Sequence, residues 1–333
     1  MPGTLLDDRP QKTPAKHSIL RTIALQIMIA VATLAACEAI LRVIDLRYLR
    51  THRSGADRVY NYDAELGWFP YPNSTLVFTG IRTIKVQHNS LGLRDIEPDT
   101  DTKPTIAFLG DSFVWGYDAE ENERFTNLLR AKLPDRRIVN AGVTAYGTDQ
   151  EYLLLNRLWD RIKPDVVVLI VCVDNDHKDN STNMRNDGPY KPYFDLRVDS
   201  GKFAGIPVPR SRHLYFDDMW LARHSWVARV AISAYVLAQS PVVLVPDPTE
   251  RLIGMMRERV ESRGAKFLVG LQYHEPQLEA YLRARGIPHA SFDGAEHYNG
   301  DGDHWTPKGH ALVADRLMTL FAENGVVPAK APQ

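Results

Sequence analysis

Apolar residues follow more than one rhythm along this chain. From Thr22 to Cys37 no charged residue interrupts the sequence, and after Glu38 the apolar run resumes through Ala39, Ile40 and Leu41. Twenty residues with a single acid near the end match the length needed to cross roughly 30 Å of hydrocarbon. Glu38 and Arg42, four apart, can pair on a helix at the interfacial end, where a charge costs far less than at the centre. The pattern predicts a single-pass transmembrane anchor helix over 19–44, preceded by a polar tail over 1–18 that contains prolines and is expected to be disordered. Residues 51–102 alternate in short stretches such as Thr83-Ile84-Lys85-Val86, punctuated by Pro70, Pro72, Gly80 and Gly92, and predict a small β-rich accessory segment.

From 103 to 325 strand-like and helix-like segments take turns: "TIAFLG" then "ENERFTNLLRAKL", "RRIVNAGV" then "TDQEYLLLNRLWDRI", "DVVVLIVCV" and, after a long insertion, "TERLIGMMRERVESRG", then "KFLVGLQ", "EPQLEAYLRARG" and "PKGHALVADRLMTLFAENG". Such alternation predicts a parallel sheet flanked by helices. "DVVVLIVCV" is apolar throughout, as a central strand covered on both faces should be. The insertion, 177–245, is rich in aromatics, among them Tyr190, Phe203, Trp220 and Trp226, and its stretch "PYFDLRVDSGKFAGIPV" predicts a hairpin turning at Asp199-Ser200-Gly201. It is expected to pack its own core and to form a lid or one wall of a cleft.

Ligands of open α/β sheets sit outside the carboxyl ends of the strands, and the first strand of this alternation ends in Gly110-Asp111-Ser112. Alone, that tripeptide is a turn capped by Asp111. Near the C-terminus, "GDGDHWTPKGH" offers Thr306 and Pro307 as N-cap and first residue of the closing helix, which leaves His304 on the loop before it. Asp301 lies three residues earlier, close enough for its carboxylate to fold back onto the imidazole. Serine, histidine and carboxylate are the types that nucleophilic acyl chemistry requires.

Composition narrows the field. The net charge of -1 lacks the basic surplus of a nucleic-acid binder. Two cysteines, Cys37 and Cys172, are too few for a disulfide framework or a structural zinc site. "DNDHKDN" has the alternating acids of a calcium loop without its glycine and distant glutamate. Neither a phosphate-binding loop, a dinucleotide fingerprint nor a zinc-protease helix is present, and Ser112 lacks the Gly-x-Ser-x-Gly elbow. No cofactor and no metal are expected. "LAAC", residues 34–37, resembles a lipoprotein box with Cys37 as the lipidated residue. The apolar continuation "EAILRVIDL" favours an uncleaved anchor instead.

Taken together, the blocks around Ser112 and His304 resemble the SGNH/GDSL hydrolase superfamily over residues 105 to about 322. The resemblance implies a three-layer α/β/α, flavodoxin-like fold with Ser112 as nucleophile, His304 as base and Asp301 as acid. It implies an oxyanion hole from the Ser112 N–H, a loop residue aligned here at Ala145 where the family has glycine, and Asn175, whose block reads Val173-Asp174-Asn175-Asp176 with Val173 in place of a glycine. By analogy with anchored members, the substrate would be an O-acyl, foremost O-acetyl, group on an envelope or extracellular polysaccharide, with the catalytic domain periplasmic or extracytoplasmic. The alternatives are an O-acyltransferase with the same triad, a non-catalytic glycan-binding or assembly protein, and a lipid esterase or thioesterase. Positive charges nearly balance across the anchor, so charge alone does not fix its orientation.

Overall fold

The structure is a computed structural model that describes residues 16–50, 59–98, 102–186, 188–299 and 303–328. Residues 1–15 of the predicted 1–18 tail and Asp301 lie outside the described residues; residues 16–18, expected to be disordered, are instead the first turn of a helix. Helix α1 (Lys16–Ile44) includes one stretch, Ile19–Ile44, long and apolar enough to cross a membrane. Two antiparallel hairpins follow, β1 (Tyr60–Asp63) with β2 (Gly67–Pro70), and β3 (Thr75–Thr79) with β4 (Thr83–Gln87).

The alternating region then forms a parallel five-stranded sheet. Its elements are β5 (Thr105–Leu109), α2 (Ser112–Trp115), α3 (Phe125–Lys132), β6 (Arg137–Asn140), α4 (Thr148–Ile162), β7 (Val166–Val171) and α5 (Asp176–Asn180). The insertion contributes β8 (Tyr193–Asp195), β9 (Lys202–Ala204), α6 (Arg212–Asp218), α7 (Trp220–His224) and α8 (Trp226–Gln239). The sheet resumes through α9 (Thr249–Glu261), β10 (Lys266–Leu271), α10 (Pro276–Ala284), β11 (His289–Ser291) and α11 (Pro307–Glu323).

Spatial order is β6-β5-β7-β10-β11, every pair parallel. Counted among the sheet strands alone this is 2-1-3-4-5, the flavodoxin-like order, whose switch point lies between the first and third strands. Strand residues alternate between two cores. Ala107, Leu109, Val167 and Val269 pack with α4, α9 and α10, whereas Ile106, Phe108, Val168 and Leu268 pack with α2, α3 and α11. Both faces are covered, which is why β5 and β7 are buried along their whole length and read as unbroken apolar runs.

The accessory hairpins are built into this domain. Leu76, Ile84 and Val86 of the second hairpin enclose Trp115 of α2. The first hairpin lies against the segment after β6: Trp68 Nε1 donates to the Thr144 carbonyl at 3.2 Å, the Tyr146 hydroxyl to the Trp68 carbonyl at 2.6 Å, and Gln150 Nε2 to the Leu66 carbonyl at 2.7 Å. In the insertion, β8 and β9 pair across a turn with positive φ at Asp199, Ser200 and Gly201, where the sequence places it. Met184, Tyr190, Val208 and Val236 form a small core there, and the buried Lys191 ammonium pairs with Asp149 of α4, stitching the insertion to the sheet domain.

Candidate active site

After Leu109 the chain turns so tightly that a Cβ on Gly110 would lie 2.4 Å from Val114 Cγ2; glycine alone fits. Asp111 then caps α2, its Oδ1 accepting the Phe113 N–H at 2.9 Å, which satisfies a donor left over at the helix start. Ser112 is the first residue of that helix and stands at the carboxyl edge of the sheet. Behind it, the buried Arg94 guanidinium donates to the carbonyls of Trp115, Gly116 and Ala119 at 3.1, 2.5 and 2.7 Å. Both ends of the short helix are thereby fixed.

Thr306 caps α11 by accepting the Gly309 N–H at 3.2 Å, with Pro307 as the first helical residue. The loop ahead is closed by the Tyr298 N–H on the His304 carbonyl at 3.1 Å. This brings His304 Nε2 to 2.8 Å from Ser112 Oγ, across 192 residues of sequence. The ring is sandwiched: Tyr117 stacks on it at 4.1 Å and 17°, and Phe113 leans on it at 5.2 Å. Burial lowers the imidazole below the ordinary histidine value, opposed by the charges of Asp111, Asp303 and Asp118. A neutral imidazole whose Nε2 faces a hydroxyl is poised as a proton acceptor.

The carboxylate described beside Nδ1 is that of Asp303, with Oδ1 at 3.3 Å. The same oxygen accepts the His304 backbone N–H at 2.7 Å, and Oδ2 accepts the Asn299 amide at 2.7 Å. Partial burial opposes ionisation of Asp303, but these donors prevail and hold it below the usual carboxylate range. Sequence spacing selects Asp301, three residues before His304, and not the adjacent Asp303.

In the segment after β6, most backbone donors are already engaged. The Gly142 N–H bonds Asn140 Oδ1 at 3.0 Å, Val143 the Gly110 carbonyl at 3.0 Å, Tyr146 the Val143 carbonyl at 3.2 Å and Gly147 Gln150 Oε1 at 3.2 Å. The Thr144 N–H faces the Tyr60 hydroxyl, whereas among the described residues the N–H groups of Ala145 and Ser112 have no hydrogen-bond acceptor. Ala145 takes φ +63°, the left-handed conformation that glycine enters freely and alanine at a cost of about 1 kcal/mol. Gly142 serves close packing, since a Cβ there would sit 2.4 Å from the Trp115 nitrogen and glycine lets the segment lie against α2. Asn175 stands at the carboxyl end of β7 as N-cap of α5, and its side chain lies close enough to Asp111 to favour the charged form of that carboxyl.

Two features escape sequence reasoning. One is a set of buried acids behind the nucleophile: Asp111, Asp149, Glu151, Asp176 and Asp179. Lys191 and Arg185 compensate Asp149 and Asp179, but neither carboxyl oxygen of Glu151 has a partner among the described residues. Burial, reinforced by neighbouring acids, holds Glu151 and Asp176 well above the carboxylate range. The other is Arg82, in the turn between β3 and β4. It donates to the Tyr298 hydroxyl at 3.1 Å, to the Asp118 carbonyl at 3.3 Å and to Glu123 at 2.7 Å, tying that hairpin to the loop that carries His304. Only three-dimensional proximity gives either of them.

No protein-family model matches this chain, and no curated protein matches it in sequence. Among solved structures it is similar to TesA, at 15% identity and a TM-score of 0.39, over 66% of this chain and 98% of that one. It is similar to a member of the lipolytic protein G-D-S-L family from Veillonella parvula, at 14% identity and a TM-score of 0.38, over 66% and 98%. A two-domain esterase active on acetylated mannans is a third, at 13% identity and a TM-score of 0.39, over 69% of this chain and 52% of that one.

Proposed function

We propose that this chain is a serine esterase of the SGNH/GDSL hydrolase superfamily, and the observation that carries the reading is the 2.8 Å contact between Ser112 Oγ and His304 Nε2 at the carboxyl edge of the sheet. Ser112 attacks the ester carbonyl as His304 takes its proton, and the resulting imidazolium returns that proton to the departing alcohol. The acyl-enzyme is then cleaved by water through the same base. The N–H groups of Ser112 and Ala145, with the amide of Asn175, receive the oxyanion; one such donor is typically worth about 10²–10³ in rate. The left-handed backbone of Ala145 and its unengaged N–H support that role and weigh against a non-catalytic descendant of the family. Asp301 is proposed as the acid of the triad, with Asp303 holding the imidazole by its other contacts.

For the substrate we infer an O-acyl, foremost O-acetyl, group on an envelope or extracellular polysaccharide, reached from an anchored, extracytoplasmic domain. The Glu38 carboxylate accepts the Ser225 hydroxyl at 2.9 Å and the Trp226 N–H at 3.0 Å, contacts that support an anchor that is kept, since cleavage beyond Glu38 would remove part of the fold. Acetate release from acetylated xylan or a chromogenic acetate should fall by about 10³-fold or more in Ser112→Ala, with fluorophosphonate labelling of Ser112 lost in parallel. Absence of both turnover and labelling in the unaltered protein would overturn the esterase. Transfer of acetyl to an added glycan in preference to water would reassign it as an acyltransferase. Asp301→Asn and Asp303→Asn, assayed side by side, identify the acid as the one whose loss costs more in kcat.

A further inference from the structure

Helix α8 is built with its polarity reversed. Its sole charged residue, Arg229, is buried, with the guanidinium donating to the carbonyls of Ala222, Leu49 and Arg223 at 2.6, 2.9 and 2.9 Å. Ser233 is buried as well and bonds the Arg229 carbonyl at 2.8 Å. The opposite face, Val230, Ala231, Ala234, Tyr235 and Ala238, is exposed and carries no charge, with Tyr235 60% exposed. A helix facing water shows the reverse arrangement. The apolar surface extends beyond the helix, for Trp220 is 71% and Leu244 72% exposed.

This surface adjoins the end of α1. The Glu38 carboxylate accepts the Ser225 hydroxyl at 2.9 Å and the N–H groups of Trp226 and Val227 at 3.0 Å each, capping α8. Arg42 donates to the His224 carbonyl at 2.6 Å, and Leu41 and Leu46 pack with Leu49, Phe216 and Ala222. Whatever medium surrounds the apolar side chains of Ile40, Val43 and Ile44 on α1, all exposed, continues onto α8. At 1.5 Å per residue α8 is roughly 21 Å long, too short to cross about 30 Å of hydrocarbon but suited to lying along its boundary.

We propose that α7, α8 and the segment through Leu244 form a second membrane contact, embedded in the interfacial layer of the same phospholipid bilayer that α1 enters. The inference rests on α1 being a membrane anchor. The occupant is lipid because the patch is continuous with the anchor and its aromatic members, Trp220 and Tyr235, are the types that settle at headgroup depth. The full-length protein, with Cys37→Ser and single nitroxide-labelled cysteines at 29, 220, 235, 244 or 258, would be reconstituted into phosphatidylcholine–phosphatidylglycerol vesicles. Collisions with oxygen and with a water-soluble nickel chelate are then compared. Labels at 220, 235 and 244 should favour oxygen several-fold over the label at 258, on the exposed surface of α9. Water-like ratios at those three with a lipid-like ratio at 29 would overturn the second contact and leave the anchor standing. A water-like ratio at 29 also would remove both. Spin–spin broadening at 235 that vanishes on dilution with unlabelled chain would assign the patch to a second copy and overturn the lipid assignment.

Discussion

Ala145 accepts a backbone conformation that its side chain disfavours, and a β-branched residue would accept it at greater cost. Ala145→Val should therefore lower kcat by about 10²-fold with little change in KM, because the N–H is turned away from an oxyanion that exists only in the transition state; steady-state kinetics on a chromogenic acetate checks this. His304 provides a second expectation. A base must be neutral, and burial depresses this imidazole, so kcat/KM should be lost as pH falls through a value below the ordinary 6.5. A pH–rate profile whose acidic midpoint lay above 6.5 would contradict the described environment. Ser112 and His304 were legible in the sequence because each sits beside a local signal, a strand ending in glycine and a capped helix start. Asp303 and Asn299 were not, since their contact with the ring depends on how a glycine-rich loop closes.

At the scale of elements, the two hairpins before the sheet act as supports for the site. The first holds the segment that carries Thr144 and Ala145, and the second wraps Trp115 and reaches the histidine loop through Arg82. Their strands were legible from alternation, but their attachment was not: period-two patterning tells which residues face inward and nothing about which partner they face. Arg82→Ala removes the tie between that hairpin and Tyr298. We expect kcat to fall by about 10- to 100-fold, the scale associated with a displacement near 1 Å, with KM changed by less than about twofold and Ser112 still labelled by fluorophosphonate. A proportional rise in KM instead would indicate a role in substrate binding.

Over the whole molecule, alternating strands and helices foretold the parallel sheet; Ser112 and Asn175 follow its strands β5 and β7, and His304 comes from the loop ahead of α11. The buried acids could not be foretold, because an acid at the start of α4 reads as a favourable surface charge on the helix dipole until the insertion covers it. Glu151 retains its proton in the folded state at a pH where the unfolded chain has released it. Stability should consequently decline as pH rises above the unfolded value near 4.5 toward the raised folded one. Glu151→Gln should flatten this dependence, so that its stability relative to the unaltered protein is greater at pH 8 than at pH 5, measurable by urea denaturation at both pH values. The grip of Glu38 on α8 has its own bearing on how such a protein could work. A helix that runs straight into bonded contact with the domain is a mounting post and not a leash, so the reactive serine keeps a nearly constant height and tilt above the surface that holds the post. On the proposed reading, polymer segments would have to come to it, and its reach would be decided by how closely they graze that surface.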